Sequence, residues 1–492
     1  MLRERTPAKT TVAVVVRDAH TGQTLFATPN AGEALLPASN QKLLTSATAL
    51  DIYGPDAKLP TSLVHSGLDL VAVGLGDPAF GDAALASRLG RTPMSVFDDW
   101  AQALRDAGIE RVRGDIVVVD TLFDDEFVHP TWSPRNRLAW YGAPIAGINF
   151  NTNCVDFFFD PTTPGEAAVV RTVPPAGAFT YTGTVASRGK KDKHGPVLGK
   201  RPEPTEAGWS QYVVRGGVTT AAGPYSKPVD DPRVFFAHTL RAALIDRGVT
   251  VDGDARVAGS DYAFSGTQTA EIARHETPLL DVLGRVNTDS QNMMAEGLAK
   301  LNGLAYARAT AAQSADRSAA TEVRGSWAAG HLAVLSFLRQ AGLDPAGVRC
   351  ADGSGLSRDN RVSAAVLAGV LDHMLREHEH GEHFTASLAV SGMRGSLSRR
   401  LGDLEGRVWA KTGTINGVSA LSGYVFGEDG RAAVFSVLHN GRGPASSARR
   451  QQDAVVRAVA EWLDARPAAA VPDPEVVEAW HAVQDVVAGA AE

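Results

Sequence analysis

The chain reads as an α/β protein of the α+β kind: an antiparallel sheet flanked by helices, with a large β-rich insertion. Three observations predict this. Residues 11–27 and 418–440 carry the alternation and turn chemistry of two hairpins, one towards each end of the chain. Helical spacing appears at 37–52 and returns from 279 onward. Between them, from about residue 60 to 277, short apolar runs alternate with Gly, Pro and Asp.

In the first hairpin Val12, Val14 and Val16 alternate with Ala13 and Val15, Asp18 to Gly22 turns, and Leu25-Phe26 resumes. Pro37 then stands at the entry to a helix whose Leu43, Leu44, Ala47 and Leu50 share one face. In the β-rich region, Ala103 to Ile109 followed by Gly114-Asp115 is echoed by Leu244 to Val249 followed by Gly253-Asp254. Each reads as a helix ending at Gly and then a strand, so the echo points to two related small subdomains. Further on, helices over 279–400 lead to the second hairpin, with its turn at Gly427-Glu-Asp-Gly430, and to a helix over 447–463. Residues 466–474 have the composition of a linker, and 476–487 form a short amphipathic segment.

A length of 492 residues corresponds to about three domains, and 44% hydrophobic with 21% charged residues is ample for a large core. A net charge of −7 excludes a general nucleic-acid binder, which needs a basic face. Cys154 and Cys350 have no metal-ligand spacing; whether they pair is left open. No apolar run approaches the ~20 residues of a spanning helix, so no transmembrane segment is expected. The start shows no apolar stretch followed by a small-residue cleavage site, so no export signal is expected in the sequence as given.

Chemistry is concentrated in three short motifs: Ser39-Asn-Gln-Lys42, Ser290-Gln-Asn292 and Lys411-Thr-Gly-Thr414. Positions i and i+3 of a helix share a face, so Ser39 and Lys42 can touch. A serine hydroxyl needs a base to become a nucleophile, and a buried lysine beside another cation (Lys411) can be that base, because burial disfavours its charge. Ser290 and Asn292, two apart on a loop, can relay a proton and hold an amide. Lys411, Thr412 and Thr414 at the start of a strand suit a terminal carboxylate, and Gly413 allows close backbone approach by a substrate. The backbone N–H groups of Ser39 and Thr414 form the expected oxyanion hole. A second S-x-x-K, Ser187 to Lys190, lies in a polar loop and contains Gly189, and is set aside.

The motifs occur in the order and contexts of a known signature. With Pro37-Ala-Ser-Asn-Gln-Lys-Leu-Leu44, Gly76-Asp77-Pro78, Asp352-Gly-Ser-Gly-Leu-Ser357 and Lys411-Thr-Gly-Thr-Ile-Asn-Gly-Val-Ser-Ala420, they make the chain resemble the low-molecular-mass class C penicillin-binding proteins. That is the D-Ala-D-Ala carboxypeptidase/endopeptidase family of serine peptidases, and the resemblance covers nearly all of 10–465. Ser39 and Ser290 are 251 positions apart. The resemblance implies a β-lactamase/transpeptidase-like catalytic domain of residues 1–60 and 278–465. It also implies an inserted accessory region at 61–277, with one subdomain nested in the other.

It further implies acylation of Ser39 with Lys42 as base, a cleft lined by Ser290 and Asn292, and a carboxylate held by Lys411, Thr412 and Thr414. Residues 352–358 and 132–141 become lips over the site. Arg358, Trp132 and Arg135 become donors or stacking surfaces for the peptide stem. The implied partners are peptidoglycan peptides ending in D-Ala-D-Ala and β-lactam antibiotics. No cofactor or metal is implied, and the implied location is extracytoplasmic, in the cell envelope or secreted.

Other readings fit less well. His373, His378, His380 and His383 lack an HExxH pattern and read as a solvated helix end. Gly74-Leu-Gly76 is too short for a dinucleotide fingerprint, and Asp352 stands where an esterase elbow needs Gly. A β-lactamase would need a deacylating base that no residue obviously supplies. A non-catalytic module that captures peptide or penicillin would be expected to carry an altered motif, and none is altered.

Overall fold

The computed structural model describes residues 10–189, 195–259, 262–265, 269–313, 323–427 and 431–465. The end of the second S-x-x-K at Lys190, most of the turn expected at 427–430, the chain start and the segments expected beyond 465 lie outside the described residues. The chain divides into two compact units: Met1–Ala57 with Pro278–Glu492, and Lys58–Thr277.

The first unit is organised on a six-stranded antiparallel sheet in the order Ala389–Val390, Val408–Ile415, Val418–Phe426, Ala432–Gly441, Thr10–Asp18, Thr24–Ala27. The two expected hairpins meet edge to edge: Thr10 pairs with Gly441 and the register holds to Asp18 opposite Ala433. Every residue of Val418–Phe426 is buried, because both faces of this central strand are covered. On one face Leu421, Val425, Phe435 and Val437 pack against Val456, Val459 and Leu463 of the helix Ala445–Asp464. Towards the other lies the helix Ala364–Arg376, whose Leu371 carbonyl accepts the Tyr424 hydroxyl at 2.8 Å.

At the centre of the helical layer is Gln41–Tyr53, in which every residue from Gln41 to Leu50 is buried. Asn292–Ala312 is likewise buried through its first thirteen residues. It crosses Trp327–Gln340 where glycine meets glycine: a Cβ on Gly303 would stand 2.5 Å from the Gly330 nitrogen. Such contact is open only to residues without a side chain.

Three expectations change in this unit. The strand carrying Lys411 starts at Val408, so the motif occupies its middle and end. Asn292 is the first residue of a helix, and only Ser290 stays in the connection. The helices expected over 279–400 stop at Ala386, and residues 387–404 are not α-helical. They hold the two-residue strand Ala389–Val390 and the 3-10 turns Gly395–Leu397 and Gly402–Leu404, where Gly392 and Gly395 take positive φ.

In the second unit a five-stranded sheet runs Ala255–Val257, Ile116–Val119, Asp69–Gly74, Lys58–Ser66, Thr269–Pro278. The sequence echo is visible in it. Helices Ser95–Asp106 and Pro232–Asp246 each feed a short strand and then a sheet strand. The two copies pair in parallel, Thr250 with Arg111 and Ala255 with Ile116. The echo is therefore two neighbouring repeats of one αβ layer, not one repeat in each of two subdomains. Strands between Cys154 and Pro228 form further small sheets, and in sequence they lie wholly inside that layer.

Candidate active site

Ser39 sits in the 3-10 turn Ala38–Asn40 that leads directly into the helix Gln41–Tyr53. The turn is strained: Ala38 has φ 47°, a region that costs a residue with a Cβ. Two contacts hold it. The Asn40 amide donates to the Lys411 carbonyl at 2.6 Å, and Asn40 Oδ1 accepts from the Ser422 hydroxyl at 3.2 Å. The nucleophile turn is thus clamped to the strand that bears the third motif.

Gly413 explains the closeness of that clamp. A Cβ there would lie 3.0 Å from both the Pro37 carbonyl oxygen and the Ser39 nitrogen. The space a side chain would need is taken by the nucleophile turn, where sequence reasoning expected a substrate. Gly355 does the same from the other side, with φ 86° and an ideal Cβ 1.8 Å from the Ala38 carbonyl oxygen.

Lys42 is completely buried, and its ammonium nitrogen stands 3.3 Å from Ser39 Oγ, 2.7 Å from Asn292 Oδ1 and 2.9 Å from the Ser354 carbonyl oxygen. Burial pulls its pKa down to about 7, against the raising effect of Glu296 and Asp352. Lys411, also buried, donates to Ser290 Oγ at 2.9 Å and to the Thr412 carbonyl at 3.0 Å. Its pKa is well below the usual lysine range, first through burial and then through the nearby Lys42. Ser290 takes φ 63°, another strained position at the same spot.

The expected site residues from both distant parts of the chain therefore converge: Ser39 and Lys42 meet Asn292, and Ser290 meets Lys411. The Thr412 hydroxyl donates to Ser396 Oγ at 2.8 Å, and Thr414 is exposed further along the strand. On its outer side, Ala389–Val390 pairs only with Ala410 and Trp409. From Lys411 to Ile415 that edge has no strand partner among the described residues. An open edge beside a nucleophile offers backbone hydrogen bonds to an extended peptide.

Arg358 is tied down: its guanidinium donates to the Asn416 carbonyl at 2.8 Å, fixing the 352–358 loop to the hairpin end. Asp352, expected on a lip, is instead buried inside that loop. It accepts from the Gly355 and Ser357 backbone and from the Asn360 amide.

Trp132 corrects another expectation. It lies in the second unit, only 2% exposed, with its ring 6.4 Å from that of His129, so it has no free face for a peptide to stack on. Arg135 is exposed on the short helix Pro134–Arg137.

Sequence reasoning missed Glu296 and Ser396, and took Ser354 only as part of the 352–358 lip. Glu296 left a signal: a carboxylate four positions after Asn292 and four before Lys300, so that polar residues recur along one face of a helix whose neighbouring positions are apolar or small. It is fully buried and accepts from Trp327 Nε1 at 2.7 Å, Gly353 N at 2.8 Å and Ser354 N at 2.9 Å. Burial and the nearby Asp352 push its pKa up, while the hydrogen bonds from Ser354, Gly353 and Trp327 favour its ionised form.

Comparison with known proteins identifies the family. A model described as the D-Ala-D-Ala carboxypeptidase 3 (S13) family matches residues 2–462. A D-alanyl-D-alanine carboxypeptidase of an Actinomadura species is 33% identical over 475 residues, covering 91% of this chain and 81% of the relative. The D-alanyl-D-alanine carboxypeptidase DacB of Haemophilus influenzae is 24% identical over 456 residues, covering 89% and 87%. The crystal structure of penicillin binding protein 4 (dacB) from Haemophilus influenzae shares the fold with a TM-score of 0.71 at 22% identity, covering 92% of this chain and 98% of that one. The same protein complexed with a β-lactam gives a TM-score of 0.69. With a serine, two buried lysines and an asparagine gathered at one point, and with a family model spanning nearly its whole length, the chain belongs to the D-Ala-D-Ala carboxypeptidase 3 family of serine peptidases.

Proposed function

We propose that this protein is a penicillin-sensitive D-alanyl-D-alanine carboxypeptidase that cleaves peptidoglycan stem peptides through an acyl-enzyme on Ser39. The observation that carries this reading is the fully buried Lys42 ammonium nitrogen 3.3 Å from Ser39 Oγ. A lysine with a pKa of about 7 is half neutral at physiological pH and can accept the serine proton.

The steps follow from the groups present. The peptide lies along the open edge of Lys411–Ile415, with its terminal carboxylate towards Lys411, Thr412 and Thr414. Neutral Lys42 takes the Oγ proton as Oγ attacks the carbonyl carbon between the two D-Ala residues. The backbone N–H groups of Ser39 and Thr414 hold the oxyanion. The intermediate collapses, and the terminal D-Ala amine leaves with a proton passed back from Lys42, directly or through Ser290. Asn292 holds the substrate amide and Lys42 together. Water then attacks the ester, with Lys42 again as the base, and frees Ser39. A β-lactam follows the first half of this path with its ring amide in place of the peptide bond.

Two further readings accompany this one. Residues 61–277 form an inserted accessory region with one subdomain nested in the other, in line with the small sheets enclosed in sequence by the αβ layer. The site of action is outside the cytoplasmic membrane, where peptidoglycan lies; no helix among the described residues is long and apolar enough to cross a membrane.

The test is intact mass against time with benzylpenicillin, alongside D-Ala release from an N-acylated peptide ending in D-Ala-D-Ala, with Ser39→Ala as control. A long-lived adduct one penicillin heavier, with D-Ala release, both lost in the variant, is the expected result. A fleeting adduct with rapid drug hydrolysis would make this a β-lactamase. Binding without an adduct would make it a capture module.

A further inference from the structure

The buried carboxylate beneath the nucleophile's base has no part in the steps above, yet its contacts run straight to them. Glu296 lies one helical turn beyond Asn292, on the same face of Asn292–Ala312. Three N–H groups donate to it, the Trp327 indole and the backbone of Gly353 and Ser354, and the Ser354 side chain adds a further hydrogen bond. A carboxylate receiving three donors is held as an acceptor, which is the role of its ionised form. The Ser354 backbone it grips is the one whose carbonyl oxygen accepts from Lys42 at 2.9 Å. One residue of the loop thus carries the carboxylate on its N–H side and the lysine on its C=O side.

We propose that Glu296 is a positioning residue for Lys42: it fixes the Ser354 carbonyl on the ammonium and places a negative charge behind it, so setting the pH range in which Lys42 serves as base. The inference rests on the reading of Lys42 as the base for Ser39. It requires no contact between Glu296 and substrate.

Other charges face the same point. Lys300, one turn further along the helix of Glu296, lies over the Trp327 ring at 4.1 Å. Asp352 is in the loop, and Lys411 comes from the sheet with Asp289 near it. Two positive lysines, Lys42 and Lys411, lower each other's affinity for protons. A carboxylate on the far side of Lys42 opposes that effect and burial together, holding the base near neutrality instead of far below it.

The experiment is the rate of Ser39 acylation by benzylpenicillin between pH 5 and 9, measured on the wild type and three variants. Glu296→Gln keeps the shape and removes the charge. Its acid limb is expected to move to lower pH by about one unit, because a lysine relieved of its negative neighbour loses its proton more readily. Glu296→Asp keeps the charge and pulls it back from the loop, so a lower plateau with the limb within a few tenths of a pH unit of its wild-type place is expected. Trp327→Phe removes one donor and leaves the carboxylate easier to protonate. Its limb is expected to move in the same direction by less, and it serves if Glu296→Gln fails to fold.

A merely structural role lowers the plateau and moves no limb. Plateaus that fall while all limbs stay in place, or a Glu296→Gln profile identical to wild type, would overturn the proposal. Absence of any Ser39 adduct in the wild type would instead sink the reading of the active site, and this inference with it.

Discussion

The two compact units are built around unlike interiors. In Lys58–Thr277 the centre is aromatic: Phe80 stands against Trp100 at 5.0 Å, Phe236 at 5.3 Å and Phe97 at 5.8 Å, ring to ring. In the other unit, the point where the helices Gln41–Tyr53 and Asn292–Ala312 meet the strand Val408–Ile415 is charged, with Lys42, Glu296 and Lys411 all fully buried. Aromatic rings pack to high density and contribute stability without chemistry. Buried ionisable groups cost stability unless their partners are in place, and a fold retains them where reactivity needs a shifted pKa. Asp77 of Lys58–Thr277 is fully buried as well, so one buried charge does not mark a site; what sets the other unit apart is that ionisable groups of both signs gather beside one serine.

That contrast can be broken or sharpened by substitution, beginning with the largest effect. Lys42→Met is expected to slow acylation by about 100- to 10,000-fold, the range of general-base loss. A loss under threefold, in variant protein that keeps its circular dichroism spectrum, would remove Lys42 from the chemistry. Phe97→Ala opens the aromatic centre and is expected to cost about 3–5 kcal/mol of stability by urea unfolding. The acylation rate per folded molecule is expected to stay within twofold, and a large fall would show that the aromatic unit contributes to the reaction itself.

The third expectation concerns pH. Lys42 acts when neutral, so the acylation rate is expected to fall about tenfold per pH unit below a pKa of about 7 and to level off above it. A profile flat down to pH 5 would rule out a lysine base with that pKa. The smallest effect belongs to Ser396→Ala. It removes the Thr412 hydroxyl's partner at an exposed point, where water can replace it. A KM for the D-Ala-D-Ala peptide raised about three- to tenfold, with kcat little changed, is expected for one hydrogen bond.

What could be read from the sequence divides along the same line as local and distant contact. Ser39 and Lys42 are three apart, and the helix period brings them together whatever the rest of the fold does. The hairpins at 11–27 and 418–440 were legible for the same reason, since alternation and turn residues are local. That both belong to one antiparallel sheet was expected; the register that joins them, Thr10 opposite Gly441, was not legible. Ser354 reaches Lys42 from 312 positions away through a backbone carbonyl, a group every residue has and no sequence marks.

Gly413 was singled out correctly but for the wrong neighbour, because a glycine states that something is close and not what. Trp132, flanked by Thr131, Ser133 and Pro134, reads as a surface aromatic; tertiary packing buries it. The helices expected over 279–400 stop short of 400, at a segment rich in glycine. Gly392 and Gly395 take left-handed φ there, and the chain between Ala386 and Val408 turns instead of winding.

The shortness of Ala389–Val390 acts as a ruler. It pairs antiparallel with Val408–Ile415, Ala389 opposite Ala410 and Val390 opposite Trp409, so it occupies only the first part of that edge. Under the proposed function, a peptide laid antiparallel beside Lys411–Ile415 would advance along the same line, carboxyl end first, until it reached the position Ala389 already fills. Reading chain length from the carboxyl end is then a matter of where the neighbouring strand begins. Extending Ala389–Val390 towards Lys411, or cutting it back, would reset which bond is presented to the serine without touching a single reacting group.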